Sequence, residues 1–475
     1  MIEGPGVPPA RQPNERLVAM IREAGCSNAG LARRVNVRAA ERGLDFRYDK
    51  TSVARWIRGQ QPRGRAPEVI AEALGAKLGR PVTPEEIGMG GARRTASSIG
   101  LRFAPDLGDS VEQAAELWRT DGGRRDPAGF DGSRLPAAAG ATPSALVEPS
   151  RDWLITPVDD RVGRTGGPRV GTADVEAVRA TSAALVELDR RWGSGHVRPL
   201  VVHYLGTVVA GLLSGSYREE VGRELFAVAA RLTELAGYMA VDTGLPGLAQ
   251  RYYIQALRLS QAAGDRGFGG YVLAAGMSHL AAQLGNPREV VQLARAAGEG
   301  TRGRVGPRAE ALYLAAEARG HAQLGDRESC RRAASAAVAA LERADPASGD
   351  DPDWITHFDR AYLADELAHC HRDLGQGGAT RERAREALAE LPEGRTRRRV
   401  IVLLLLASGR LQEGELEEAC RTAGEAGELL EGVRSRRGTE YFGDFLARLA
   451  PHQGHPSVTE FTERWRGAGS LPVAV

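Results

Sequence analysis

From Asn14 onward, apolar residues return with the period of a helix. Leu17, Met20, Ile21 and Ala24 fall at i, i+3, i+4 and i+7, a single stripe. Gly25 stops that helix and Ser27 can cap a second, on which Leu31 and Val35 stand four apart beside the small Ala32. A third helix is predicted to start at Asp49 or Thr51. Val53, Trp56 and Ile57 form its apolar stripe, Lys50, Ser52, Arg55 and Arg58 face away, and Gly59 and Pro62 end it. A fourth, over 67–78, buries Ile70, Ala73, Leu74 and Leu78. Prolines and glycines between 80 and 106 then break the pattern. A short helix over 109–118 presents Val111, Ala114, Ala115 and Trp118. Residues 126–170 predict a partly mobile loop around the apolar island Trp153-Leu154-Ile155, then an extended piece docked on the rest.

Over 172–449 the chain turns to Ala, Leu, Glu and Arg, strong helix formers with few β-branched runs. A punctuating glycine keeps returning, at Gly244, Gly285, Gly325, Gly375 and Gly414, with intervals of 41, 40, 50 and 39 residues. Each follows a helix carrying small residues and precedes a second helical stretch. The pattern predicts stacked antiparallel helical hairpins with short polar turns. The expected fold is all-α. Its parts are an arm over 1–13, a small helical domain over 14–90, a linker over 91–171, a helical-repeat domain over 172–450 and a tail over 451–475.

Composition narrows the class. Four cysteines among 475 residues cannot build a disulfide framework, which points to a reduced compartment. The longest aliphatic run, over 400–407, is far short of the ~20 apolar residues that cross a bilayer. The N-terminus has neither a basic leader nor an apolar one. A cytoplasmic protein without a membrane segment is expected. The net charge of +2 hides an asymmetry: residues 1–100 hold 17 basic and 10 acidic side chains, a net of +7, and the remainder a net of −5. A basic head on a faintly acidic body suits a nucleic-acid-binding module joined to something else.

The N-terminal segment resembles the phage-repressor-like (XRE-type) helix-turn-helix family. Ser27-Asn28-Ala29-Gly30-Leu31-Ala32-Arg33-Arg34 matches the family's second helix. Val53-Ala54-Arg55-Trp56-Ile57-Arg58-Gly59-Gln60-Gln61-Pro62 matches its third helix and the turn after it. The resemblance implies binding to double-stranded DNA by a two-fold homodimer, with Asn28, Lys50, Thr51, Ser52, Arg55 and Arg58 near bases and phosphates. Thr51 or Ser52 can instead cap the helix. The chain departs from the family in Gly30, where a glutamate is usual, and in an insertion over 36–48 that carries Arg38, Arg42 and Arg47 as candidate phosphate contacts. The repeats resemble tetratricopeptide repeats, most openly over 318–334, although their intervals exceed the family's roughly 34 residues. Together the two parts are similar to actinobacterial regulators of development and antibiotic production.

No catalytic or metal signature emerges, and no cofactor is implied. His357, His369, Cys370 and His371 are the only local cluster of ligand types, and the last three splay over different faces of a helix. Gly264-Asp265-Arg266-Gly267-Phe268-Gly269-Gly270 follows no strand and reads as a hairpin turn rather than a phosphate loop. Tyr238, Tyr252, Tyr253, Tyr271 and Tyr313 recur in the early repeats. Tyr238, Arg251, Tyr252, Gln255 and Tyr271 are the candidate ligand contacts, because a solenoid lines its concave face with one helix of each hairpin. The expected function is a DNA-binding transcriptional regulator whose repeats sense a peptide, small molecule or protein. The rival is a scaffold that has lost DNA binding and holds partner proteins on the solenoid.

Overall fold

A computed structural model describes residues 13–41, 46–60, 62, 66–84, 86–89, 99–123, 141, 144–345, 351–433 and 435–467. Among them every element is helical, apart from isolated bridges between Arg164 and Tyr217 and between Arg169 and Ser216. The chain divides into two compact units between Thr95 and Ala96.

The first unit holds α1 (Glu15–Glu23), α2 (Asn28–Glu41), α3 (Lys50–Ile57) and α4 (Ala66–Leu78). Asn14 caps α1 by accepting from the Leu17 amide at 3.0 Å. Its side-chain amide donates to the Ile87 carbonyl at 2.9 Å, which ties the start of the unit to its end. The expected stripes become one core: Leu17, Leu31, Val35, Val53, Trp56, Ile70 and Leu74 are buried together with Ile87 and Met89.

The second unit begins with α5 (Leu107–Asp121), α6 (Ser144–Ile155), α7 (Thr172–Trp192), α8 (Ser194–Tyr204) and α9 (Ala210–Leu213), the last two joined by a π turn at Leu205–Val209. Six helical hairpins follow. They are α10 (Glu219–Asp242) with α11 (Pro246–Ala263), then α12 (Arg266–Tyr271) and α13 (Ser278–Gln283) with α14 (Pro287–Gly300). Next come α15 (Pro307–Gln323) with α16 (Arg327–Glu342), and α17 (Arg360–Asp373) with α18 (Gly377–Glu390). The stack ends with α19 (Thr396–Gln412) and α20 (Leu416–Glu431), then α21 (Arg436–Leu449) and α22 (Pro456–Gly467). A π turn at Val272–Met277 joins α12 to α13. The five punctuating glycines all adopt the left-handed backbone, with φ between 70 and 82°, and each ends the first helix of its hairpin. Small residues let helices approach: a Cβ on Gly409 would lie 2.9 Å from the Gly377 carbonyl oxygen.

Four expectations need correction. The sixth hairpin uses what was read as a tail, because Val458, Phe461 and Trp465 bury against Phe442 and Phe445. Residues 99–123 and 144–171 are built into the second unit rather than strung as a linker, with Trp118 and Trp153 fully buried. Of the stretch over 126–170 in which a mobile loop was expected, residues 126–140, 142 and 143 lie outside the described residues. The Gly264–Gly270 string turns only at Gly264. Asp265 then caps α12 by accepting from the Phe268 amide at 2.9 Å, and Gly269 and Gly270 make room for Trp153 and Tyr313. Finally, Ser194–Leu213 is long and apolar enough to cross a membrane by length and composition, and only about a third of it is buried. His196, Arg198 and His203 interrupt its apolar run and hid it from the sequence reading.

Candidate functional site

The five candidate ligand residues separate into two groups. Arg251, Tyr252 and Gln255 lie on α11, the outer helix of its hairpin, and are buried by the chain's own earlier segment. Arg251 donates to the Ile99 carbonyl, and Gln255 donates to the carbonyls of Gly100 at 2.9 Å and Arg102 at 3.1 Å. One further turn along, Arg258 donates to the Ala104 carbonyl and forks onto Asp159 at 2.7 and 3.0 Å. Tyr252 donates to Asp121 at 2.7 Å, and Arg198 pairs with the same carboxylate. This row holds backbone in place, so the expectation that these three residues contact a ligand is corrected. Tyr253 is wedged between Gly237 and Gly276, and Tyr313 donates to the Gly267 carbonyl at 2.9 Å; both serve packing.

Tyr238 and Tyr271 go elsewhere. They stand half-buried on α10 and α12, in the inner layer formed by the first helices of the hairpins. That layer curls until its ends meet. Ser435 before α21 donates to Asp242 of α10 at 2.8 Å, Gln283 donates to Glu440 at 2.9 Å, and Arg397 bridges Asp242 at 2.9 Å and Asp189 at 3.0 Å. The inner face therefore becomes a polar groove. Arg397 lies over the Tyr238 ring at 5.0 Å and Arg398 over Tyr362 at 3.6 Å. Arg398 pairs with Asp365 at 2.9 Å, Arg319 with Glu366 at 3.0 Å, and His279 stands 3.7 Å from Glu366. Tyr271 packs against Trp354 and His357, and Tyr441 against His369.

Two groups in this groove have no side-chain partner among the described residues. Burial pushes the Glu234 carboxyl up to about 8, which leaves it neutral at pH 7. Burial opposes the charge of Arg437, but the phenols of Tyr238 and Tyr441 and the Asp242 carboxylate outweigh it and hold the guanidinium above its ordinary value. Arg319, Arg397 and Arg398 are matched by carboxylates, so among the described residues the groove offers a cation outside these pairs, a neutral acid and several half-exposed aromatic rings. Such a surface recognises ligands by hydrogen bonds and stacking. Sequence reading found Tyr238 and Tyr271 but missed Glu234, His279, Tyr362, Arg398 and Arg437. The detectable signal was polar residues recurring on the first helix of each hairpin.

In the first unit, Lys50, Thr51, Arg55 and Arg58 are exposed on or just beyond α3, while Asn28 is half-buried at the start of α2. Ser52 is a correction. It is buried, and its hydroxyl donates to Asp49 at 2.8 Å while the Asp49 carboxylate accepts from its amide at 2.8 Å, a capping box that leaves it unavailable to a base. The Arg55 guanidinium lies 3.3 Å from the same hydroxyl. The insertion extends α2, and Asn36 closes it by paired hydrogen bonds with the Tyr48 backbone, both 2.9 Å. Tyr48 then packs edge-on against Trp56 at 4.9 Å. Arg38 pairs with Glu41 at 2.7 Å, Arg47 is exposed, and Arg42 lies outside the described residues.

Among the described residues, no group of three or more His, Cys, Asp and Glu is placed to hold a metal ion. His357 packs on Tyr271, His369 on Tyr441, and His371 stands 2.6 Å from the Gln376 side chain. Burial holds His357 at about 4 and His369 well below its ordinary value. Compared with known families, residues 17–90 match the family described as SP15 N-terminal domain, a match confined to the first unit. No curated protein and no solved structure matches the chain.

Proposed function

We propose that the protein acts by binding, with the helical-repeat unit as a scaffold that takes a partner in its polar groove. The observation that carries this reading is the convergence of Tyr238, Tyr271, Tyr362, Glu234 and Arg437 on one groove, the last two making no side-chain hydrogen bond or ion pair among the described residues. Both are half-buried, so a bound chain or small molecule could pair with them in place of solvent. The groove's mixed charge and aromatic rings suit a peptide segment of a partner protein. Affinity selection of a random peptide library on the full chain tests it. Peptides that bind the parent should lose at least about tenfold in affinity on Arg437→Ala. No selected peptide, or binding indifferent to Arg437 and Tyr271, would refute it.

The exposed row Lys50, Thr51, Arg55 and Arg58, set on a helix held by a capping box, favours a second reading. In it the chain is a cytoplasmic, dimeric, phage-repressor-like regulator of transcription, and its tetratricopeptide-like repeats sense an effector. Arg55→Ala should then weaken binding to a selected duplex by ~1–3 kcal/mol. Unselective retention of duplexes, equal in parent and variant, would remove this reading and leave the scaffold alone.

A further inference from the structure

Three connections between hairpins of the second unit surround one cavity. They lie over 264–267, before α12, over 304–306, between α14 and α15, and over 351–355, leading into α17. The cavity measures about 270 Å³, at the small end of the ~300–1,000 Å³ usual for small-molecule pockets. That is room for a small molecule and not for a folded partner.

Its charged groups are unequally committed. Asp265 accepts from the Phe268 amide at 2.9 Å and stands 4.0 Å from Arg231. Asp351 accepts from Arg308 at 2.6 Å. Both acids are therefore answered from within the chain. Arg266 lies over the Trp153 ring at 4.6 Å and donates to the carbonyls of Trp153 and, at 3.0 Å, Thr156. Those partners are neutral, so its positive charge has no carboxylate. Arg304 is exposed at the rim and makes no side-chain hydrogen bond or ion pair among the described residues. Burial, and then the charge of Arg304, hold the Arg266 guanidinium below its ordinary value. The two cations are thus near enough to repel each other.

The uncharged wall adds donors. The Trp354 ring packs on Phe268 and Tyr271, and its indole nitrogen is buried with no acceptor among the described residues. A buried donor left without an acceptor is costly. Gly306 gives α15 no side-chain cap, so the first amides of that helix open on the same wall. Open donors and uncompensated positive charge outweigh open acceptors.

We propose that this cavity binds a small ligand through an oxyanion group, a phosphate or a carboxylate, set between Arg266 and Arg304 and accepting from the Trp354 indole N–H. The anion relieves the repulsion between the two guanidiniums and supplies the acceptor that the indole lacks. This site does not rest on what the inner groove binds.

Equilibrium dialysis of the full chain at low ionic strength, against labelled inorganic phosphate and separately against labelled succinate, tests it. At least one probe should bind saturably with one equivalent per chain, and the tighter one identifies the group. Arg304→Ala should raise its dissociation constant by about tenfold or more. Trp354→Phe keeps a ring against Phe268 and Tyr271 while removing the N–H donor, and should raise it by about threefold or more. Arg302→Ala alters a neighbouring exposed arginine that pairs with Glu299, and should leave binding within about twofold. Neither exposed arginine should matter to helical circular dichroism. No saturable binding of either probe would overturn the proposal. So would affinity indifferent to Arg304→Ala or to Trp354→Phe. Equal losses in Arg302→Ala and Arg304→Ala would mean diffuse attraction to a basic surface, and would overturn it too.

Discussion

Arg258 is 2% exposed, yet its guanidinium is fully engaged by the Ala104 carbonyl and the Asp159 carboxylate, with the Phe103 ring beneath it at 5.7 Å. Removing one partner of a buried pair strands the other, so Arg258→Ala should cost ~3–5 kcal/mol. A melting temperature within a degree or so of the parent protein would show that the segment is held by other means. Glu234 makes a pH-dependent prediction. Its folded-state value of about 8 lies above the ~4.3 of an exposed glutamate, so its contribution to stability is complete below the ordinary value and is lost as pH rises through about 8. The parent should therefore melt lower at pH 9 than at pH 7, and Glu234→Gln should narrow that gap; an equal gap contradicts the assignment. His279 and His357, held at about 4 by burial, work in the opposite sense, their contribution complete above the ordinary histidine value and lost as pH falls through 4. In the first unit, Trp56→Ala removes the largest core side chain and should cost ~3–5 kcal/mol, whereas exposed Arg55→Ala should leave the melting curve unchanged. A Trp56→Ala protein as stable as the parent would mean that the wrong face of α3 had been assigned to the core.

At the scale of elements, helix periods and glycine-marked turns were legible because each depends on a few neighbouring residues. Val53, Trp56 and Ile57 announce α3 by spacing alone, and Gly325 announces its turn because only glycine accepts that backbone cheaply. What covers an element is a long-range fact, and here reading failed. Arg251, Tyr252 and Gln255 looked like a recognition surface because polar residues on a repeat helix usually face out. In the folded chain α11 is covered by residues 99–106, whose carbonyls need donors when buried. The polar row supplies them. Changing Arg251 and Gln255 together to Ala should therefore expose the 99–106 backbone to hydrogen exchange while leaving affinity for any groove ligand within about twofold. Lost affinity with unchanged exchange would return these residues to the ligand site. The tail was misread for a related reason: Val458, Phe461 and Trp465 have helical spacing over only about two turns, and the Phe442 and Phe445 that cover them lie on another helix.

Across the second unit, the inner helices meet end to end because Arg397 binds two buried carboxylates from α7 and α10. Arg397→Ala leaves Asp189 and Asp242 unmatched, which should both destabilise the unit and loosen its closure. Small-angle scattering is expected to report a larger radius of gyration; an unchanged radius would locate the closure in the Ser435–Asp242 and Gln283–Glu440 contacts instead. Closure was not legible in the sequence, since it joins residues nearly 200 positions apart, and with it went the groove residues contributed by late helices. The central claim is that this groove binds a partner, and photo-crosslinking in living cells tests it most directly. A photoreactive phenylalanine analogue placed at Tyr271 or Tyr362 should yield a discrete adduct with another protein, and the same probe at Arg332, exposed on the outer helix α16, should not. Adducts at Arg332 alone, or none at either groove position, would contradict the account.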